Sequence, residues 1–82
     1  MRRFYYVYIL ISETDPSIHY TGVTRDLSGR LKEHNSGRCP HSAKYKPWKI
    51  ETAIAFNSEV KACAFEKYLK TGSGREFARR RF

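Results

Sequence analysis

Eighty-two residues, 40% hydrophobic and carrying six Tyr, five Phe and one Trp, give one domain with a modest core and exclude a disordered chain. Sixteen basic against eight acidic residues leave a net charge of +8, which points first to a phosphate-rich partner. The plainer readings of that charge are solubility or attraction to an anionic membrane surface.

Met1-Arg2-Arg3 ahead of Phe4–Ile11 superficially resembles a signal peptide. The apolar run is short and aromatic-rich, and it ends in Ser12-Glu13-Thr14-Asp15-Pro16 without a small-residue cleavage site. It is also far too short to span a bilayer, so no membrane association is expected. Its density of Tyr, Val and Ile predicts a strand buried on both faces. Glu13–Ser17 is turn chemistry, and Ile18–Thr24 alternates as a second strand, giving a hairpin. If the hairpin folds symmetrically about Thr14, Tyr8 lies opposite Tyr20 and Gly22 opposite Tyr6, all on one face. A slip of one residue would turn every side chain over.

Asp26 predicts the cap of a first helix, and Asn35-Ser36-Gly37 its end. Gly37–Lys49 reads as a basic, Pro-punctuated loop with Arg38, His41, Lys44, Lys46 and Lys49 interleaved with Tyr45 and Trp48. Ile50–Phe56 predicts a third strand. Ser58 can cap a helix running to about Lys70, where Thr71-Gly72-Ser73-Gly74 breaks it, and Arg75–Phe82 is a short basic helix or tail. The order β-β-α-β-α-(α) over residues 1–82 predicts a single α/β (α+β) domain, a three-stranded antiparallel sheet flanked by helices.

Charged residues stand where this pattern should place apolar ones. On the first helix, Leu27, Leu31, Arg30 and His34 share an arc of roughly 100°. On the later helix, the face with Ala62, Phe65 and Leu69 also carries Glu66. A charge on a core-facing stripe is expensive unless it is paired or does a job, so these residues predict a polar cleft where helices meet the sheet. An Arg30–Glu66 ion pair joining two helices is the other reading. His34, near a helix end, could instead cap carbonyls. His19 and His41 read as surface residues, and Glu33 and Glu51 as solvated charges. Trp48 reads as core filling beside the third strand, or with Tyr45 as a base-stacking platform. Cys39 and Cys63 are too few for a disulfide framework, and Cys39-Pro40-His41 lacks a second ligand pair at finger spacing. A reduced, cytoplasmic protein without zinc is expected.

Tyr6-Val7-Tyr8, then Tyr20-Thr21-Gly22, then Arg30 with His34 four residues on, then a helical Glu66, resemble the GIY-YIG nuclease family over essentially the whole chain. Glu66–Phe77 further resembles its small bacterial members, often labelled excinuclease-subunit-C-like. Tyr6 stands where the family name has glycine, Thr21 where it has isoleucine, and no asparagine follows Glu66. The resemblance implies a metal-dependent DNA endonuclease, structure-selective and linked to repair or recombination. Tyr8 would act as or relay to the general base, and His34 would drain its proton, because a phenol titrating near ~10 is a poor base alone. A nearby Arg30 charge would favour the phenolate, and Arg30 would hold the scissile phosphate. Glu66 would hold one divalent cation, Mg²⁺ by its chemistry, Tyr20 would orient water or phosphate, and Gly22 would leave room for the nucleic-acid backbone. Arg38, Lys44, Lys46, Lys49, Arg75, Arg79 and Arg80 would contact phosphates without reading sequence. The alternative is a non-catalytic nucleic-acid-binding module on the same fold. A third reading is a subunit active only in a larger complex.

Overall fold

Strand β1 (Tyr5–Ser12) lies at the centre of the sheet, with β2 (His19–Thr24) on one side and β3 (Trp48–Phe56) on the other, all antiparallel. This is a computed structural model describing residues 3–82; Met1 and Arg2, at the head of the basic stretch before β1, lie outside the described residues. The helices are α1 (Leu27–Ser36), α2 (Pro40–Ala43), α3 (Glu59–Leu69) and α4 (Gly72–Arg81). The expected α+β architecture is therefore present.

A central strand alternates its side chains between two covered faces, which is why β1 reads as a near-continuous apolar run. Tyr8 and Leu10 point to one face and pack with Trp48, Leu27 and Leu31 beneath α1. Val7 and Ile9 point to the other and pack with Ala62, Leu69, Phe65 and Phe77 of α3 and α4. Burial of each such aliphatic side chain contributes ~1.5–3 kcal/mol, so a three-stranded sheet carries two small cores instead of one.

The hairpin register departs from the symmetric expectation. Tyr8 pairs with Gly22 and Tyr20 with Leu10, so Tyr8 does not face Tyr20 directly, nor Tyr6 Gly22. The turn is centred one residue later, on Asp15: the Ser12 amide donates to the Ile18 carbonyl (3.0 Å) and the Ile18 amide to Asp15 (2.9 Å). Asp15 Oδ1 accepts from both the amide (3.1 Å) and the hydroxyl (2.6 Å) of Ser17. Moving the turn centre by one residue moves the pairing by two, which preserves the faces. Both phenols therefore still share one side.

A bulge between the Ile9 and Leu10 pairs inserts Glu51 into β3, so Ala53 lies opposite Tyr8 while Trp48 lies opposite Ser12. An extra residue shifts the alternation by one, which brings Trp48 onto the Tyr8 face. β3 starts at Trp48, two residues before the expected Ile50, because Asn35 grips its first residue: Trp48 N–H donates to Asn35 Oδ1 (2.5 Å) and Asn35 Nδ2 donates to the Trp48 carbonyl (3.0 Å). Asp26 caps α1 through Gly29 N–H (3.1 Å), and Gly37 ends it in the left-handed region (φ 85°), as the sequence predicts. The stretch expected as loop contains the short helix α2. Helix α3 breaks at Lys70-Thr71 as expected, but the next one begins at Gly72, three residues before Arg75, with Thr71 Oγ1 accepting from Gly74 N–H (3.0 Å). Among the described residues no helix is long and apolar enough to cross a membrane.

Candidate active site

The Tyr8 phenol, carried by the central strand, extends over β2 toward α1. Its space is granted by Gly22: a Cβ there would lie 2.5 Å from Tyr8 Oη and 2.7 Å from its Cζ. Gly22 is itself buried, so the room expected there for a nucleic-acid backbone is filled by Tyr8. From α1, Arg30 and His34 stand one turn apart on the face bearing Leu27 and Leu31, and both reach Tyr8. Arg30 Nε donates to Tyr8 Oη at 3.3 Å, and His34 Nε2 lies 3.3 Å from the same oxygen. Tyr20 lies beside them, its ring stacked on Tyr8 at 6.4 Å and tilted against His34 at 4.6 Å. Its hydroxyl has no hydrogen-bond partner among the described residues.

The site is graded from sealed to open. Tyr8 is 1% exposed and His34 0%, whereas the Arg30 side chain keeps 36% of its surface in solvent. Arg30 also pairs through Nη1 with Glu33 (3.3 Å), so Glu33 is not simply solvated. Burial raises the Tyr8 phenol above its ordinary value of 10.0, outweighing the hydrogen bond and charge of Arg30 that pull the other way. The expected phenolate-favouring effect of Arg30 is therefore present but loses to desolvation. Burial, reinforced by the Arg30 charge, lowers His34 below 6.5, with Glu33 opposing. At neutral pH the pair is a neutral phenol facing a neutral imidazole.

Ser42, which sequence reasoning passed over as a loop hydroxyl, completes the constellation. Its Oγ lies 2.8 Å from His34 Nδ1, and it is 1% exposed. Trp48 Nε1 donates to the Ser42 carbonyl (2.9 Å), tying α2 to β3. Trp48, 3% exposed, is core filling and offers no stacking platform. Neither Ser42 nor Asn35 carries a periodic or compositional mark, and only their spatial partners disclose them.

Among the described residues Glu66 shares no hydrogen bond or ion pair with Tyr8, Arg30 or His34. It projects from α3, the helix on the other face of the sheet, and its recorded ion pair is with Lys70 Nζ (2.5 Å). Arg30 and Glu66 do not form the interhelical ion pair that was the sequence's other reading: Arg30 pairs with Glu33 and Glu66 with Lys70. Among the described residues no group of three or more His, Cys, Asp or Glu could enclose a metal. A single carboxylate, 18% exposed and paired among the described residues with a lysine that is 54% exposed, fits a hard cation that keeps its waters and shares substrate phosphates.

Arg38, Lys44, Lys46 and Lys49 are exposed around α2 and the start of β3, with Lys44 Nζ 5.1 Å above the Tyr45 ring. Arg79 and Arg80 both bond Glu76, in exposed pairs worth little. Arg75 has no hydrogen-bond or ion-pair partner among the described residues and lines an open cleft of about 760 Å³ on the α3–α4 face, with Lys70, Arg79, Leu69 and Phe82. His19 and His41 are exposed as expected, His19 bonding Glu51 at 3.2 Å.

Residues 4–80 match the GIY-YIG catalytic domain. The chain is 39% identical over 70 residues to the structure-specific endonuclease subunit SLX1 of Scheffersomyces stipitis, covering 77% of this chain and 21% of that protein. It is 39% identical over 67 residues to the UPF0213 protein FN1575 of Fusobacterium nucleatum (80% of this chain, 65% of that protein). It is 37% identical over 76 residues to the UPF0213 protein BH0048 of Halalkalibacterium halodurans (88% and 76%). The chain thus spans about a fifth of the first of these relatives and just under two thirds of the second. With the Tyr8–Arg30–His34 cluster on its sheet and the domain match running nearly end to end, the chain belongs to the GIY-YIG nuclease family.

Proposed function

We infer that this domain hydrolyses phosphodiester bonds in DNA with the help of a divalent cation. The observation that carries the reading is the Tyr8 oxygen held between a guanidinium N–H and an imidazole nitrogen, each 3.3 Å away. Tyr8 Oη takes a proton from the attacking water as its own passes to His34 Nε2, so no free phenolate is needed. Arg30 is the exposed member. Swinging its guanidinium onto the scissile phosphate uncovers the phenol oxygen and places charge where the transition state gains it. Tyr20, stacked on Tyr8 and tilted against His34, orients water or phosphate. Glu66 would hold the cation, Mg²⁺ by its donor chemistry, which when bound supplies Lewis-acid charge at the phosphate and leaving oxygen.

Exposed Arg38, Lys44, Lys46, Lys49, Arg75, Arg79 and Arg80 supply phosphate contacts that carry no sequence information. The Scheffersomyces relative is named a structure-specific endonuclease subunit, which supports a structure-selective substrate and work as part of a larger complex; a role in repair or recombination belongs to the same proposal. The test is incubation of the pure protein with nicked, branched and single-stranded DNA in Mg²⁺, beside Arg30→Ala and Glu66→Gln. Cutting by the wild type that both substitutions abolish supports the reading, and cutting that survives both discards it.

The near-complete burial of Tyr8 and His34 favours a second reading as a non-catalytic nucleic-acid-binding module. That reading predicts salt-sensitive binding indifferent to Mg²⁺ and no product from any substrate.

A further inference from the structure

A buried run of hydrogen bonds leads from Arg30 to the backbone of Cys39, and both of its ends are chemically one-way. A guanidinium only donates, so Tyr8 Oη accepts from Arg30 Nε at 3.3 Å. A carbonyl oxygen only accepts, so Ser42 Oγ gives its single hydrogen to Cys39 O at 3.2 Å. With that hydrogen committed, Ser42 Oγ accepts from His34 Nδ1–H across 2.8 Å. His34 Nε2 is then a bare lone pair, and it accepts the Tyr8 hydroxyl hydrogen across 3.3 Å.

The opposite polarity satisfies fewer groups. A hydrogen on Nε2 would aim at an oxygen that already accepts from Arg30. The Tyr8 hydrogen would then have no acceptor among the described residues, at a side chain that is 1% exposed. The serine is held where this requires: Cys39 caps α2, its carbonyl also accepting from the Ser42 and Ala43 amides (3.1 and 3.0 Å), and Trp48 Nε1 grips the Ser42 carbonyl at 2.9 Å.

We propose that Ser42 is the positioning residue of this site, holding His34 as the Nδ1–H tautomer so that Nε2 is the acceptor for the Tyr8 proton. The catalytic half of this rests on the nuclease reading above. As the water oxygen bonds to phosphorus and the P–O bond to the leaving sugar oxygen breaks, the water proton goes to Tyr8 Oη, the Tyr8 proton goes to His34 Nε2, and His34 becomes an imidazolium whose Nδ1–H stays on Ser42; the leaving oxygen takes its proton from solvent. Nothing is oxidised or reduced. The neutral resting imidazole and phenol suit such a transfer. The arrangement parallels the way an acceptor on one imidazole nitrogen orients and tunes the other in metal and hydrolase sites.

Long-range ¹H–¹⁵N correlation spectra of the wild-type protein at neutral pH, with His34 assigned by His34→Gln, read the tautomer whether or not the protein cuts DNA. A protonated Nδ1 and bare Nε2 are expected; a protonated Nε2 overturns the proposal. In Ser42→Ala, or in Ser42→Cys should the alanine variant not fold, Nε2–H should appear. Retention of pure Nδ1–H would show that Ser42 does not set the tautomer. With a cleavable DNA, Ser42→Ala should lower kcat about tenfold and leave KM within about twofold, while a change confined to KM overturns the positioning role. Absence of cutting by the wild type would count against the nuclease reading alone.

Discussion

The phenol of Tyr8 occupies the space that the missing side chain of Gly22 leaves open, with a Cβ at residue 22 falling 2.5 Å from Tyr8 Oη. The glycine of the second triplet is thus a steric condition for the tyrosine of the first. Gly22→Ala should push the ring from its place between Arg30 and His34. It should destabilise the domain by about 1–3 kcal/mol, as overpacking does. Urea titration followed by Trp48 fluorescence measures this, and an unchanged midpoint would mean that the ring moves aside freely.

His34 gives the fold a pH dependence of defined sign. Its folded value lies below the ordinary 6.5, so the unfolded chain binds the proton more readily. The stability it contributes is complete above about pH 6.5 and is lost as the pH falls through that value toward the folded one. Thermal melts from pH 7.5 down to 5 should therefore show a falling Tm. The slope over that interval should flatten in His34→Gln, which has no charge to acquire.

Asn35 bonds both backbone groups of Trp48, at 2.5 and 3.0 Å, where β3 begins. Asn35→Ala leaves a donor and an acceptor unpaired beside a residue that is 3% exposed. The expected cost is about 1–3 kcal/mol, with amide exchange in the first residues of β3 accelerated before the rest of the sheet. Asn35→Asp keeps the acceptor and should recover part of the loss.

Arg75 is the cation of the α3–α4 cleft without a hydrogen-bond or ion-pair partner among the described residues, since Lys70 and Arg79 engage Glu66 and Glu76. Arg75→Glu should weaken binding of labelled DNA in anisotropy titrations across all sequences alike. It should lower the slope of log affinity against log salt by about one phosphate contact. Arg80→Ala, removing a cation already engaged with Glu76, should change less.

Much of this was legible along the chain because short-range rules dictate it. The strand character of β1 follows from its apolar run, the start of α1 from Asp26, and its end from Gly37. The shared face of Arg30, His34, Leu27 and Leu31 follows from a 3.6-residue period. The two phenols stayed on one face although the register was misjudged, because a shift of two residues preserves the alternation. Glu66 shows the limit of such reasoning. Periodicity places it on the inner stripe of α3, but which face of the sheet that stripe covers depends on how the chain crosses after β3.

Sequence alone determined the element types, the basic character and the ordered set of tyrosines, arginine, histidine and glutamate, since each depends on neighbours a few residues away. Only the tertiary structure decided that Ser42 meets His34, that Tyr8 fills the space over Gly22, and that Glu66 pairs with Lys70 and not with Arg30. Those outcomes depend on a turn centred on Asp15, a bulge at Glu51 and a short helix between α1 and β3. The turn is made by bonds within Ser12–Ile18, but the short helix is fixed by His34 and Trp48 on Ser42, contacts between separate segments for which the local pattern of residues carries no signal.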